Sequence, residues 1–289
     1  MTGRTVVAGV SSTRPEVNAQ VVRWAADEAV ARGIPLHIVH AQEWPHGSSP
    51  VADPAHPAHV WSTHFRASGA ALLDDAKQEA SARHPALAVT TELAAGRPVH
   101  VLREAGETAA VLVLGAHRVV GVEGAFAGAG KGHSLVGHLP CPVVLVPEPS
   151  PDTSVDAPVV VGVDGSPSSL AAIELAFAEA DAAKAELVAV EVRRPRDAAW
   201  PEFLEDTQVH LAELLAGHRE RYPDTEVRHE MLTGRPGQML ASASRHARCL
   251  VVGSRGRGGF RGMLLGSTSR ALVNHTHCPL IIAPAPRTR

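Results

Sequence analysis

The sequence predicts two tandem α/β domains, each built on a parallel sheet with helices on both faces. Three observations predict it: a chain of 289 residues, an internal repeat, and short β-branched runs alternating with longer amphipathic stretches. At roughly 100–200 residues per domain, this length suits two domains better than one. Hydrophobic residues make up 45% and charged residues 20%, which supplies a packed core and argues against wholesale disorder.

The repeat is read from four matches in the same order. TVVAGVSS (5–12) resembles VVVGVDGS (159–166), and LHIVHAQ (36–42) resembles LVAVEVR (187–193). GRPVHVLREAGETAAVLVLGA (96–116) resembles GRPGQMLASASRHARCLVVGS (234–254), and CPVVLVP (141–147) resembles CPLIIAP (278–284). This period is far too long for a solenoid, so each copy is expected to be a complete domain. The join, PEPSPDTSVDAP (147–158), is rich in Pro, Ser and Asp. It gives domains at 1–148 and 158–289 with a linker at 149–157. Between the first strand and GRP the first copy is 15 residues longer, and the excess lies around EWPHGSSPVADPAHPAHVWSTH (43–64), a surface loop by its Pro and His content.

The elements follow in order along the second copy. Val159–Val163 is a β-branched run of the buried-strand type. Ser166-Pro167 is an N-cap and first-turn pair, and Leu170, Ile173, Phe177 and Ala180 recur at helical spacing. Leu187–Val192 is the next strand, Thr207–His218 a helix, and Glu226–Leu232 extended. Gln238–His246 is helical, Cys249–Val252 a strand, Ser267–Asn274 a helix, and Leu280–Ala283 the last strand. Strand–helix alternation of this kind places ligands at the carboxyl ends of the strands.

Chemistry concentrates in VVGSRGRGGFRGMLLGSTSRALV (251–273). Gly253 and Gly256 let the chain turn and bring backbone N–H groups close to a ligand. Gly266-Ser267-Thr268 opens a helix, whose unpaired N–H groups and partial positive charge suit phosphate. Arg255, Arg257, Arg261 and Arg270 occur with no acidic residue among them. AFAGAGKG (125–132) is the nearest approach to a Walker phosphate loop, but it has Ala125 for the first Gly and Gly132 for Ser/Thr.

Gly253-x2-Gly256-x9-Gly266-Ser267, together with VVVGVDGSPSS and CPLIIAP, resembles the signature of the ATP-binding universal stress proteins. The likeness extends over nearly the whole chain as a tandem pair. It implies a five-stranded, Rossmann-like parallel sheet per domain and ATP at the carboxyl ends of the strands. Carried onto these positions, Asp164 accepts hydrogen bonds from adenosine, and Val192 and Val252 pack on adenine. Gly253, Arg255 and Gly256 line the ribose and phosphates, and Gly266, Ser267 and Thr268 hold phosphate oxygens. Mg²⁺ would arrive coordinated by ATP. The resemblance also implies dimer contacts through the final strands, here an intramolecular pseudo-dimer, with homodimerisation left open.

The first copy departs from this pattern. Ser11 stands at the position of Asp164, Arg118 at that of Gly256, and Ala129 follows Gly128 where Ser267 follows Gly266. A degenerate site is expected there, with an altered phosphate site at Arg118 and Lys131 as the alternative.

Other features exclude more than they assign. A net charge of −3 and 3% aromatics argue against a nucleic-acid or anionic-membrane binder. Three cysteines without a CxxC fit a reducing compartment, and no apolar run approaches the roughly 20 residues of a membrane span, so a cytoplasmic protein is expected. His46, His56, His59 and His64 match no standard metal spacing. No paired-carboxylate or nucleophile constellation is evident. The function expected is an ATP-binding stress-response or regulatory protein. A slow ATPase or phosphoryl or nucleotidyl transferase, and a nucleotide-free dimerisation scaffold, are the alternatives. The downstream partner is not legible.

Overall fold

The β-branched runs form strands and the amphipathic stretches form helices in a computed structural model. It describes residues 4–13, 15–44, 56, 58–116, 136, 137, 139–148, 156–194, 215, 217–256 and 265–285. By contacts the chain divides into two compact units, Met1–Gly115 and Ala116–Arg289.

The first unit runs β1 (Val6–Val10), α1 (Pro15–Arg32), β2 (Leu36–Gln42), α2 (His59–Arg83), β3 (Val89–Ala95), α3 (Pro98–Thr108) and β4 (Val111–Gly115). Its strands are parallel in the order β3-β2-β1-β4. Two glycines show which helix covers which face. A Cβ on Gly9 would meet Leu102 of α3 at 3.0 Å, and one on Gly115 would meet Val17 of α1 at 2.9 Å. Within the expected loop 43–64, helix α2 begins at His59, two residues after Pro57, the last of the segment's prolines. Ser62, Gly69, Leu73, Ala76 and Ala80 then supply a buried stripe at three- and four-residue spacing.

The second unit contains β5 (Val143–Val146), β6 (Val159–Val163), α4 (Pro167–Ala183), β7 (Leu187–Arg193), β8 (Val227–Thr233), α5 (Pro236–Ala243), β9 (Cys249–Gly253), α6 (Ser267–His275) and β10 (Leu280–Ala283). Five strands are parallel in the order β10-β9-β6-β7-β8. The sixth, β5, lies antiparallel on β10 with Val144 opposite Ile281. In sequence β5 is the last strand of the first repeat, yet by contacts it belongs to this unit. Most of the expected helix 207–218 lies outside the described residues.

Ser166 caps α4, its Oγ accepting from the Ser169 N–H at 3.3 Å. Ile173, Phe177 and Ala180 are fully buried beneath it, each large apolar side chain contributing about 1.5–3 kcal/mol. Leu170, expected on the same stripe, is 37% exposed. The buried face runs instead through Ser169, Ala172, Ile173, Ala176, Phe177 and Ala180, and Leu170 falls beside it.

A Cβ on Gly162 would meet Leu240 of α5 at 2.9 Å and Val252 at 3.2 Å, whereas one on Gly253 would meet Ser168 of α4 at 2.7 Å. Helices α4 and α5 therefore cover opposite faces. α6 packs beside α5, with Ala271 2.9 Å from a Cβ placed on Gly237. The Gly162–Leu240 contact stands in the second repeat where Gly9–Leu102 stands in the first.

Candidate functional site

The residues singled out in the sequence gather where β6, β7 and β9 end. Val252 shares a face with Gly162, and so does Val192, two residues beyond the Val190 that pairs with Gly162. Val252 is buried at 4% exposure and Val192 is half-buried. Glu191 and Arg193 alternate to the opposite face, where they form a buried ion pair at 3.3 Å. Glu191 Oε2 and Arg193 Nη2 have no hydrogen-bond partner among the described residues. That pair had no signal in the apolar reading of the strand.

Asp164 follows β6 and is exposed. Its Oδ1 accepts from the Ser166 N–H at 3.0 Å, across Gly165, which has a φ of +71°. That left-handed geometry suits glycine. On its other side the carboxylate meets the glycine loop, since a Cβ on Gly256 would lie 2.4 Å from Asp164 Oδ2. Glycine at 256 thus leaves room for the carboxylate.

The loop after β9 is fixed by its carbonyl groups. Ser269 Oγ donates to Gly253 O at 2.7 Å, the Gly266 N–H donates to Ser254 O at 2.8 Å, and Ser166 Oγ donates to Arg255 O at 3.2 Å. The Ser254 N–H donates to Ala283 O at 2.9 Å. No acceptor among the described residues takes the N–H of Arg255 or Gly256. Ser254 is 1% exposed and its hydroxyl has no partner among the described residues.

Helix α6 starts beside this loop. Its N-cap is Gly266, which has no side chain to satisfy the first turn. Ser267 is exposed and Thr268 half-buried. The helix start therefore presents N–H groups and two hydroxyls next to the loop, an arrangement suited to an anion. Arg257 and Arg261 lie outside the described residues. The roles of Ser166 and Ser269 in holding the loop were not read from the sequence. Their acceptors are 89 and 16 residues away, and serine at a helix start signals only a cap.

The first unit is arranged differently at the corresponding strand end. Asn18 accepts from the Ser11 N–H at 3.0 Å and donates to Ser11 O at 2.9 Å, so one buried amide occupies both backbone groups. Ser11 Oγ and Thr13 Oγ1 share a hydrogen bond of 2.8 Å. Arg118, Gly128, Ala129 and Lys131 lie outside the described residues, as does His46. Among the described residues no three His, Cys, Asp or Glu side chains gather as metal ligands, and no helix is long and apolar enough to cross a membrane.

Comparison with known proteins agrees with this architecture. The Universal stress protein family matches residues 3–147 and again 157–284. Universal stress protein Rv1996 of Mycobacterium tuberculosis is 34% identical over 289 residues, covering 92% of this chain and 91% of its own length. Universal stress protein Rv2623 of the same species is 34% identical over 277 residues, with 91% of each chain covered. Among solved structures, a universal stress protein from Archaeoglobus fulgidus superposes with a TM-score of 0.71 at 16% identity, covering 97% of this chain and 96% of that one. With two family matches filling almost the entire sequence, the chain belongs to the universal stress protein family as a tandem, two-copy member.

Proposed function

We propose that the second copy binds ATP and that binding shifts the conformation or assembly of the chain. The observation that carries the reading is the meeting of three features: the exposed Asp164 carboxylate, a glycine loop with two N–H groups that find no acceptor among the described residues, and the uncapped start of α6. A carboxylate that accepts from sugar or base hydrogens, next to a donor-rich cradle, suits a nucleoside polyphosphate.

In this reading Asp164 takes the adenosine, and Val192 and Val252 back the adenine. Gly253, Arg255 and Gly256 line the ribose and phosphates, and Gly266, Ser267 and Thr268 hold phosphate oxygens. Mg²⁺ travels with the ATP. Residues 1–148 and 158–289 act as a cytoplasmic pair joined by 149–157, the first with a degenerate site sealed by Asn18. The two final strands give a pseudo-dimer within one chain.

Calorimetric titration of the full chain with Mg·ATP tests this. One site per chain is expected, with affinity lowered at least about tenfold by Asp164→Ala, the loss of one or two charge-assisted hydrogen bonds. Two sites per chain would refute the degenerate first copy, and an unaltered Asp164→Ala would refute the site. Sedimentation with and without ATP reads the assembly change.

A further inference from the structure

We infer that Ser166 is a positioning residue that aims the Arg255–Gly256 peptide at the phosphates. The inference rests on the ATP-site reading and adds to it a residue outside the glycine signature. A trans peptide is planar, and its C=O and N–H point in opposite directions. Holding a carbonyl oxygen therefore sets the direction of the N–H that follows it.

Three consecutive carbonyls of the loop are held in this way. The Gly253 carbonyl is bonded by Ser269 Oγ, and the N–H on the far side of that peptide, from Ser254, reaches Ala283 O. This peptide is anchored at both ends. The Ser254 carbonyl takes the Gly266 N–H, which directs the Arg255 N–H to the opposite side, where no acceptor among the described residues takes it. The Arg255 carbonyl takes Ser166 Oγ, which directs the Gly256 N–H to the opposite side, where no acceptor among the described residues takes it. The Gly256 N–H thus owes its orientation to one hydroxyl, 89 residues earlier in the chain.

Ser166 is placed for this by two further bonds. Its backbone N–H donates to Asp164 Oδ1 at 3.0 Å, and its Oγ accepts from Ser169 N–H at 3.3 Å. It is buried at 5% exposure. One residue therefore joins the carboxylate proposed for adenosine to the loop proposed for phosphate. In the first unit the hydroxyl near the corresponding turn, Thr13 Oγ1, pairs with Ser11 Oγ instead.

The test separates the hydroxyl from the fold. Ser166→Gly in the full chain keeps the backbone N–H for Asp164 and remains an acceptable N-cap. Ser166→Thr keeps the hydroxyl. ATP and adenosine are each titrated against wild type and both variants. Ser166→Gly is expected to weaken ATP about tenfold, the loss expected for a hydrogen bond to a charged group, and to leave adenosine within about twofold. Ser166→Thr is expected to restore ATP binding. Unchanged ATP affinity in Ser166→Gly, or parallel weakening of ATP and adenosine, would overturn the inference while leaving the site intact. Failure of the wild type to bind ATP or adenosine would overturn the site reading beneath it.

Discussion

The three signature glycines look alike in the sequence, but their surroundings give them different substitution costs. On Gly253 a Cβ would stand 2.7 Å from the carbonyl carbon, the oxygen and the Cβ of Ser168. Carbon atoms settle at about 3.5–4.0 Å, so the start of α4 would have to retreat by roughly 1 Å. That helix carries Ile173, Phe177 and Ala180 into the core and cannot shift alone. Overpacking of this kind costs about 1–3 kcal/mol. At roughly 2–4 °C per kcal/mol for domains of this size, Gly253→Ala should lower the midpoint of the second unit by about 2–12 °C.

At Gly256 the first atom met is Asp164 Oδ2, the tip of an exposed side chain. Gly256→Ala can be accommodated by rotating the carboxylate, whose bond from Ser166 N–H is worth about 0.5–1.5 kcal/mol. At Gly266 the nearest atom is 3.5 Å away and φ is −66°, so neither crowding nor strain demands glycine. Gly266→Ser adds a capping hydroxyl and should be neutral or stabilising by a few tenths of a kcal/mol. Scanning calorimetry of the three variants without nucleotide should therefore rank their losses as Gly253, then Gly256, then Gly266. A Gly253→Ala midpoint within about 1 °C of wild type would refute the packing argument. A large loss at Gly266 would refute the claim that only a ligand could require glycine there.

Three further outcomes rest on independent features. Burial opposes ionisation of Asp27, but hydrogen bonds from Arg83 at 2.6 and 2.7 Å and from His84 at 2.7 Å hold its carboxyl below the usual value of 3.8. A carboxyl lowered in the folded state stabilises above its unfolded range and loses that contribution as pH falls toward its folded value. Acid titration of Asp27→Asn should lack that part of the acid limb, which solvent exposure of the pair limits to about 1 kcal/mol; an unchanged profile would contradict this. Burial pushes the Cys278 thiol up to about 12, and Cys141 and Cys249 are buried as well. A thiol reagent near neutral pH should find no rapidly reacting cysteine in the native chain and three after denaturation; one fast native equivalent would be inconsistent. Lys184 ends α4 at a φ of 52°, where the matching residue after α1 is Gly33 at 63°. Lys184→Gly should stabilise the chain by about 0.5–1 kcal/mol, and a lowered midpoint would argue against backbone strain at that turn.

The repeat made much of the fold legible, because it fixes register as well as composition. Gly9 against Leu102 and Gly162 against Leu240 are the same contact read twice, and both pairs lie in segments that align in the sequence. The resemblance implied a contact between the final strands, but the antiparallel register of β5 on β10 was not legible in the sequence pattern. CPVVLVP announces a buried strand, but four consecutive buried residues have no polar face to select a partner sheet. Helix α2 was masked by the Pro and His content of 43–64, although its buried stripe of Ser62, Gly69 and Leu73 has helical spacing. The hydrogen bond from Ser166 to Arg255 was beyond reach, since periodicity carries no information about contacts 89 residues apart.

The divergence between the copies gains a physical cause from the same geometry. Substitution of Gly256 is obstructed by Asp164 Oδ2 at 2.4 Å, so a side chain at 256 and the carboxylate at 164 compete for one space. The first copy has Ser11 at the carboxylate position and Arg118 at the glycine position. Once the carboxylate is replaced by a serine whose backbone is occupied by Asn18, the requirement for a missing side chain at the second signature position disappears. A side chain at the second signature position is thus compatible with the loss of the carboxylate at the first. On this argument Ser11→Asp alone should fail to create nucleotide binding in the first copy, because the sequence still has Arg118 at the position corresponding to Gly256. A second ATP site per chain in that single variant, read by the same calorimetric titration, would break the link between the two positions.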